Sequence, residues 1–486
     1  MRPKLHFLTE ELIERIISEA RDVLCTLGVE IHNDRAVSLI NDHGARIDHL
    51  TKRVYFTPDL IDKILKTAPR SFILYDVLGN EAVHLSDFTV NYTPGSAAIN
   101  FLDGDVNTMR KPTTSDYVRY AKLMSSMQNI ASQSTAMIPT DVHERISDSY
   151  RLFLSLMYCE KPVVTGGFTI EAFGIMKDLQ IAVRGSKEKL AEKPLTIFSC
   201  CPTSPLKWSE VTSQNLIDCA LYSIPVEYIS MPLSGFMAPV TLVGTLVQHT
   251  AETLSGLAIS QLVNPGSPVL YGGSPAFFDV RYETTPMGSI ATMMTDCAFN
   301  EIGKYFNLPT QAYIGLSDAK QVDAQAGLET ASGAVLAALA GINNISGPGM
   351  LDFESCFSLE KLVLDNEICG MALRLVKGIE PKNDFPSLPL FRELLADKHL
   401  LISDHTRKYL REEEYFPGPV INRVNRARWE EEGKTSLIQR AADQVKQLVN
   451  ASKPTRLSKE VTSELTRLME REANKFGMSR LPAREP

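Results

Sequence analysis

The stretch GLSDAKQVDAQAGLET, residues 315–330, brings together Ser317, Asp318, Lys320, Asp323 and Gln325. A strand-like run, TQAYIG, leads into it and an Ala-rich helical run follows. Similar clusters recur along the chain. Tyr92, Tyr271, Phe277, Phe278, Tyr282, Tyr313 and Phe353 stand at or just past the ends of strand-like runs, and Asp141, Asp279, Asp318, Asp323 and Glu354 share those loops. Aromatic faces with a carboxylate nearby suit an organic cation, because the ring quadrupole attracts a quaternary ammonium group. Each residue also has a plainer reading. A strand-end aromatic usually packs under a loop, and a loop acid commonly caps a helix, as Asp318 or Asp323 would for a helix starting near Val322.

Other chemistries find less support. The nine histidines include no HExxH and no close pair; His399 and His405 sit six apart in a charged stretch and read as structural. The eight cysteines are scattered without a CxxC, which points to reduced thiols in a cytoplasmic chain. Cys200 and Cys201 adjoin, but a zinc site there needs partners from other strands, so no metal is expected. GGSP at 272–275 lacks the GxSxG elbow of a serine hydrolase, and there is no Walker motif. Lys320 is the one lysine near a strand end on the face where barrel enzymes work; Lys161 begins its run, at the opposite face. No catalytic residue is assigned.

The elements that would carry these residues repeat. Strand-like runs lie at 88–93, 131–138, 161–167, 194–200, 225–231, 267–273, 309–315 and 342–347, each separated from the next by a helical pattern. Eight such units predict an α/β fold, a (β/α)8 TIM barrel over residues 86–354. An open doubly wound sheet is the competing architecture, but its GxGxxG after the first strand is absent. Residues 1–85 predict an N-terminal α+β cap packed on the barrel, with a hairpin around Gly79-Asn80. Residues 355–486 predict a C-terminal helical extension whose first helix, 355–377, offers an apolar stripe for subunit contacts in a homo-oligomer. The net charge of -8 and the lack of a basic stripe disfavour nucleic acid. No run approaches the roughly 18 apolar residues of a membrane span, and MRPKLHFLTEELIERI lacks a signal-peptide core. A cytoplasmic enzyme is expected.

The segments NYTPGSAAINFLD (91–103), TGGFT (165–169), MPLSGFMAPVTLVGTL (231–246), YGGSPAFFD (271–279), SDAKQVDAQAGLET (317–330), NNISGPGMLDF (343–353) and HTRKYLREEEYFP (405–417) together resemble the trimethylamine methyltransferase family. The resemblance covers most of the chain. It implies a barrel that moves a methyl group from a methylamine to cob(I)alamin carried on a separate corrinoid protein, with no tightly bound cofactor of its own. The founding members carry pyrrolysine; this sequence has no such position. A tertiary amine must be activated before it loses a methyl, whereas a quaternary amine leaves as a neutral tertiary amine. The chain therefore resembles the non-pyrrolysine branch, whose substrates are quaternary amines: glycine betaine first, with proline betaine and carnitine open. Tyr92, Tyr271, Phe277, Tyr313 and Phe353 are the expected cation wall, and Asp318 or Asp323, beside Gln325, the balancing charge. Backbone N–H groups around Gly273, Ser274 and Gly347 are expected to hold a substrate carboxylate. The rivals are a betaine-binding barrel without turnover and a zinc-dependent barrel methyltransferase.

Overall fold

The eight apolar runs become eight parallel strands: β1 (Asn91–Thr93), β2 (Gln133–Ser134), β3 (Val163–Thr165), β4 (Thr196–Cys200), β5 (Val226–Tyr228), β6 (Val269–Leu270), β7 (Gln311–Tyr313) and β8 (Asn344–Ser346). The structure is a computed structural model that describes residues 2–104 and 108–484. Strands β6-β5-β4-β3-β2 form one hydrogen-bonded sheet and β7-β8-β1 another. The two meet at both edges. Tyr271 bridges Thr310 between β6 and β7, and the Ala131 N–H donates to the Tyr92 carbonyl at 2.9 Å between β1 and β2. The result is the expected barrel.

A helix follows each strand: α1 (Thr114–Met124), α2 (Ser147–Tyr158), α3 (Ile170–Arg184), α4 (Glu210–Leu221), α5 (Leu242–Val263), α6 (Ile290–Tyr305), α7 (Ala324–Ala340) and α8 (Leu359–Val376). Short polar residues start most of them. Thr169, Ser209, Thr241, Ser289, Asp323 and Ser358 each accept a backbone N–H of the first turn, and each such cap contributes about 1 kcal/mol. These helix starts surround the C-terminal ends of the strands.

The other end is plugged. The strands Phe72–Tyr75 and Glu81–Leu85 form the hairpin expected around Gly79-Asn80. Its Leu74, Val83 and Leu85 pack against Val164, Ile197 and Leu270 inside the ring. Fully burying each side chain of this kind contributes about 1.5–3 kcal/mol. The lower barrel is thus dry and apolar, and any polar site must lie above it.

Before the hairpin, the helix Glu10–Thr26 is capped by Thr9 and ends at Gly28, whose φ of 68° suits glycine. A Cβ at Gly28 would stand 2.6 Å from the Val54 carbonyl. The strand Lys207–Trp208, from the loop after β4, pairs with Val29–Ile31 and ties this region to the barrel. Helix α8 departs from expectation. It is buried along most of its length, between α7 and the helix Leu437–Ala451, so its apolar stripe is covered within the chain and not offered to another subunit. Among the described residues no helix is long and apolar enough to cross a membrane.

Candidate functional site

Strand parity decides what lines the barrel mouth, because successive residues face opposite ways. In β5, Val226 and Tyr228 pack outward and Glu227 points to the axis. Its carboxylate reaches two other strands. Ser199 Oγ on β4 donates to Oε1 at 2.7 Å, and Asn344 Nδ2 on β8 donates to Oε2 at 3.0 Å. Thr93 Oγ1 on β1 holds Asn344 by donating to its Oδ1 at 2.8 Å. Gln311 on β7 joins the same layer, accepting from the Gly273 N–H at 3.2 Å. Glu227 is fully buried, and burial pushes its carboxyl up to about 7 despite these two hydrogen bonds.

A second acid closes over the first. Asp352, Phe353 and Glu354 take φ values of 50°, 56° and 66°, a left-handed turn uncommon for residues other than glycine. It turns Glu354 back into the mouth, beside the Ser96 backbone, Tyr313 and Cys201. The residue as a whole is partly exposed, but its Oε1 is sealed from water and has no hydrogen-bond partner. Burial, reinforced by the field of Glu227, raises this carboxyl well above the ordinary range. The phenol of Tyr313 lies in the field of both acids and meets Ser96 Oγ at 3.2 Å. Burial likewise pushes the Cys201 thiol up to about 12, so it serves as a neutral wall.

The groups facing the acids are neutral: Ser96, Ser199, Asn344, Cys201 and Tyr313. Leaving two carboxyls buried and uncompensated is costly. A permanent cation seated here would favour ionisation of Glu227, the less raised of the two acids, gain the attraction of the Tyr313 ring, and need no hydrogen-bond acceptor.

The residues expected from the sequence divide. Tyr313 is at the mouth, and Gly273 is in its wall. A Cβ at Gly273 would stand 2.3 Å from His249 Nε2, and one at Gly347 2.4 Å from the Ile314 carbonyl, so both glycines permit close backbone packing. Tyr92 and Tyr271 face outward. Tyr92 donates its hydroxyl to Ala334 O on α7 at 2.8 Å, and Tyr271 donates to Thr250 Oγ1 on α5 at 2.9 Å, so neither ring reaches the axis. Phe277 pairs with Ser234 above the strands, and Ser274 is buried with its Oγ unpartnered. Phe353 is already covered by a cation of this chain, Lys320, whose Nζ lies 3.6 Å from the ring centre.

The loop acids brace rather than line. Asp318 accepts the N–H groups of Met287 and Gly288 at 2.9 and 2.8 Å, tying the loop after β7 to that after β6, and burial raises it to about 6. Asp323 caps α7, accepting from Gln325 and Ala326. The Gln325 side chain reaches Glu329 at 2.9 Å. Asp323→Ala is therefore expected to lower stability by about 1 kcal/mol and to leave KM unchanged, checked by thermal melting alongside steady-state kinetics. The sequence reading missed Glu227, Asn344, Ser199 and Gln311 as site residues. Their signal was a polar side chain set inside an apolar run, as Glu227 is in PVEYISM.

Comparison with known proteins places this geometry in context. The model of the family described as trimethylamine methyltransferase (MTTB) matches residues 1–477. The trimethylamine methyltransferase MttB of Desulfitobacterium hafniense (strain DSM 10664 / DCB-2) is 28% identical, over 97% of this chain and 95% of that protein. The glycine betaine methyltransferase of Desulfitobacterium hafniense (strain Y51) is 28% identical over 98% of each. The MttB of Methanosarcina thermophila is 31% identical over 91% of this chain and 92% of its own. Among solved structures, the monomethylamine methyltransferase MtmB of Methanosarcina barkeri superposes with a TM-score of 0.54 at 11% identity, over 92% of this chain and 88% of that one. That likeness speaks for the fold alone.

Proposed function

This chain belongs to the trimethylamine methyltransferase family and is a methyltransferase, and from that premise we propose that it takes a methyl group from a quaternary amine, glycine betaine first, and passes it to the corrinoid of a separate protein. The observation that carries the reading is the pair of buried carboxyls, Glu227 and Glu354, whose fields both reach Tyr313. A quaternary nitrogen has no N–H to donate, so its recognition rests on charge and on aromatic faces, and these three residues supply both. The absence of pyrrolysine in the sequence supports a quaternary over a tertiary amine. The full-length likeness to a glycine betaine methyltransferase supports the same class. The Gly273 and Gly347 N–H groups, expected from the sequence to hold a betaine carboxylate, already donate to Gln311 Oε1 at 3.2 Å and to the Thr93 carbonyl at 3.1 Å. Proline betaine and carnitine fit the same chemistry.

The chain's own contribution is positioning and desolvation. Glu227 and Glu354 hold the ammonium, Ser199, Asn344 and Ser96 hold the acids, and the plugged lower barrel excludes water. No proton need move at the reacting carbon, which suits a site without a histidine base. A corrinoid presented at the mouth would supply the nucleophile that takes the methyl group and releases a neutral tertiary amine. Its carrier has a surface to meet: Phe168, Phe236, Val240, Val280, Tyr282 and Leu328, from loops and helix starts around the mouth, are all exposed. Apolar side chains gathered on one face mark a protein interface.

The test is to incubate the protein with cob(I)alamin and, separately, glycine betaine, proline betaine, carnitine and trimethylamine, watching for the methylcobalamin spectrum. Product is expected with at least one quaternary amine and not with trimethylamine. No product with any quaternary amine, alongside measurable binding, would favour a betaine-binding barrel without turnover. Turnover of trimethylamine alone would overturn the reading.

The pH dependence follows from Glu227. Burial keeps it protonated up to about 7, and the cation binds its ionised form, so binding at lower pH must expel a proton. The Kd for a quaternary amine is expected to rise by about tenfold for each pH unit below 7 and to level off above it. Calorimetry in two buffers of different ionisation enthalpy checks the proton release. A Kd independent of pH from 5 to 8 would remove Glu227 from the cation site.

A further inference from the structure

A second exposed apolar surface lies away from the mouth, in the segment 379–416. Helix α9 (Leu388–Asp397) places Leu388, Phe391 and Leu395 at i, i+3 and i+7, the spacing of a face built to be buried. Yet no residue of this helix is buried. The surrounding segment, 379–416, continues the pattern, with Ile379 89%, Phe385 81%, Leu395 78% and Leu401 77% exposed. These four belong to nine large exposed apolar side chains described in that segment. Isolated monomers seldom show apolar patches beyond a few hundred Å².

The arm leaves the end of α8 and its far end is tied back to that helix. Arg374, near the end of α8, donates through Nε to Glu413 O at 2.8 Å and through Nη2 to Glu413 Oε2 at 3.1 Å. Tyr415 donates its hydroxyl to Glu367 Oε2 at 2.8 Å, and the Gly418 N–H donates to the same oxygen at 2.8 Å. Lys382, Glu412 and Tyr415 share a groove with Phe88, Thr89 and Val90, at the start of β1. The arm therefore stands at the end of the barrel opposite the mouth, and whatever covers it leaves the mouth free.

We infer that a second copy of this chain covers the 379–416 arm, the two arms packing on each other about a two-fold axis. The area suffices. Nine such side chains expose roughly 1,000 Å² per copy, against about 800 Å² per partner in a stable interface. The charge also fits. The segment has eight acidic and six basic residues, a near balance that lets it meet itself, whereas a helix that binds anionic lipid carries an excess of Lys and Arg. A two-fold contact uses the same patch on both copies, and α9 supplies one.

Sedimentation equilibrium of the full chain tests it, beside Phe391→Asp/Leu395→Asp. The native protein is expected to form an assembly at micromolar concentration, in multiples of the 53.9 kDa chain. The double variant should have half the native mass with an unchanged circular dichroism spectrum. Amide hydrogens of 388–397 in the native chain should gain protection as concentration rises, a readout that does not depend on the variant. A native mass of one chain, a variant with the native mass, or protection independent of concentration would overturn the inference. So would native protein that co-sediments with phosphatidylserine vesicles as single chains.

Discussion

Glu227→Gln is expected to bind a quaternary amine on the order of a hundredfold more weakly than the native protein while folding as well or better. The substitution keeps the size of the side chain and can keep both hydrogen bonds, the amide oxygen accepting from Asn344 and the amide nitrogen donating to Ser199. What it removes is the charge. Breaking a buried ion pair by removing one partner costs about 3–5 kcal/mol, and Glu354 remains to offset part of that. Stability moves the other way. The native Glu227 carboxyl is raised from 4.5 to about 7, so the free protein is destabilised as pH rises through that interval, by roughly 3 kcal/mol once the group is ionised in both states. Glutamine does not ionise, so at pH 8 the variant is expected to melt at or above the native temperature. Isothermal titration with glycine betaine and thermal melting at pH 5 and pH 8 measure both. Equal affinity in the two proteins would place the ammonium elsewhere.

The barrel was legible because its signal is redundant. Eight apolar runs at repeating intervals leave little else to build, and Ser, Thr or Asp stands at most helix starts. The long apolar helix after β8 was equally visible, but its covering was not. The helix Leu437–Ala451 lies some 60 residues beyond α8 in the chain, and no local pattern says that it folds back to bury it.

The site was less legible because one residue of parity changes which way a side chain points. Tyr92 and Thr93 are neighbours, yet the phenol is bound to α7 and the hydroxyl to Asn344 inside the barrel. Tyr271 and Gly272 divide the same way, Gly272 lying so close to Gln311 that a Cβ would stand 2.6 Å from its Oε1. Choosing aromatics at strand ends therefore gathered rings from both faces. Glu227 could have been found, since an acid inside PVEYISM has no solvated face to occupy. Glu354 stands apart: its direction depends on three successive left-handed residues in Asp-Phe-Glu, for which sequence gives no warning.

Lys361→Met is expected to destabilise the protein by about 3–5 kcal/mol, the largest stability effect of any single change considered, because it strands a buried charge. Lys361 and Asp365 are both fully buried on α8 and pair at 2.6 Å, Lys361 also donating to Thr330 Oγ1 at 2.7 Å. With unfolding entropy near 2.1 cal/mol/K per residue, a chain of this length should lose roughly 3–5 °C in Tm. Lys361→Met/Asp365→Leu should recover most of that, since a buried pair replaced by apolar residues costs little. Substrate affinity should not recover with it. Asp365 Oδ2 also accepts the Gly349 N–H at 2.7 Å, and Gly349 begins the hairpin Met350–Leu351/Cys356–Phe357 whose tip carries Glu354. Removing Asp365 frees the base of that hairpin, so the double variant is expected to regain its melting temperature and keep a raised Kd for glycine betaine. A double variant with native Tm and native Kd would show that the Gly349 anchor does not position Glu354.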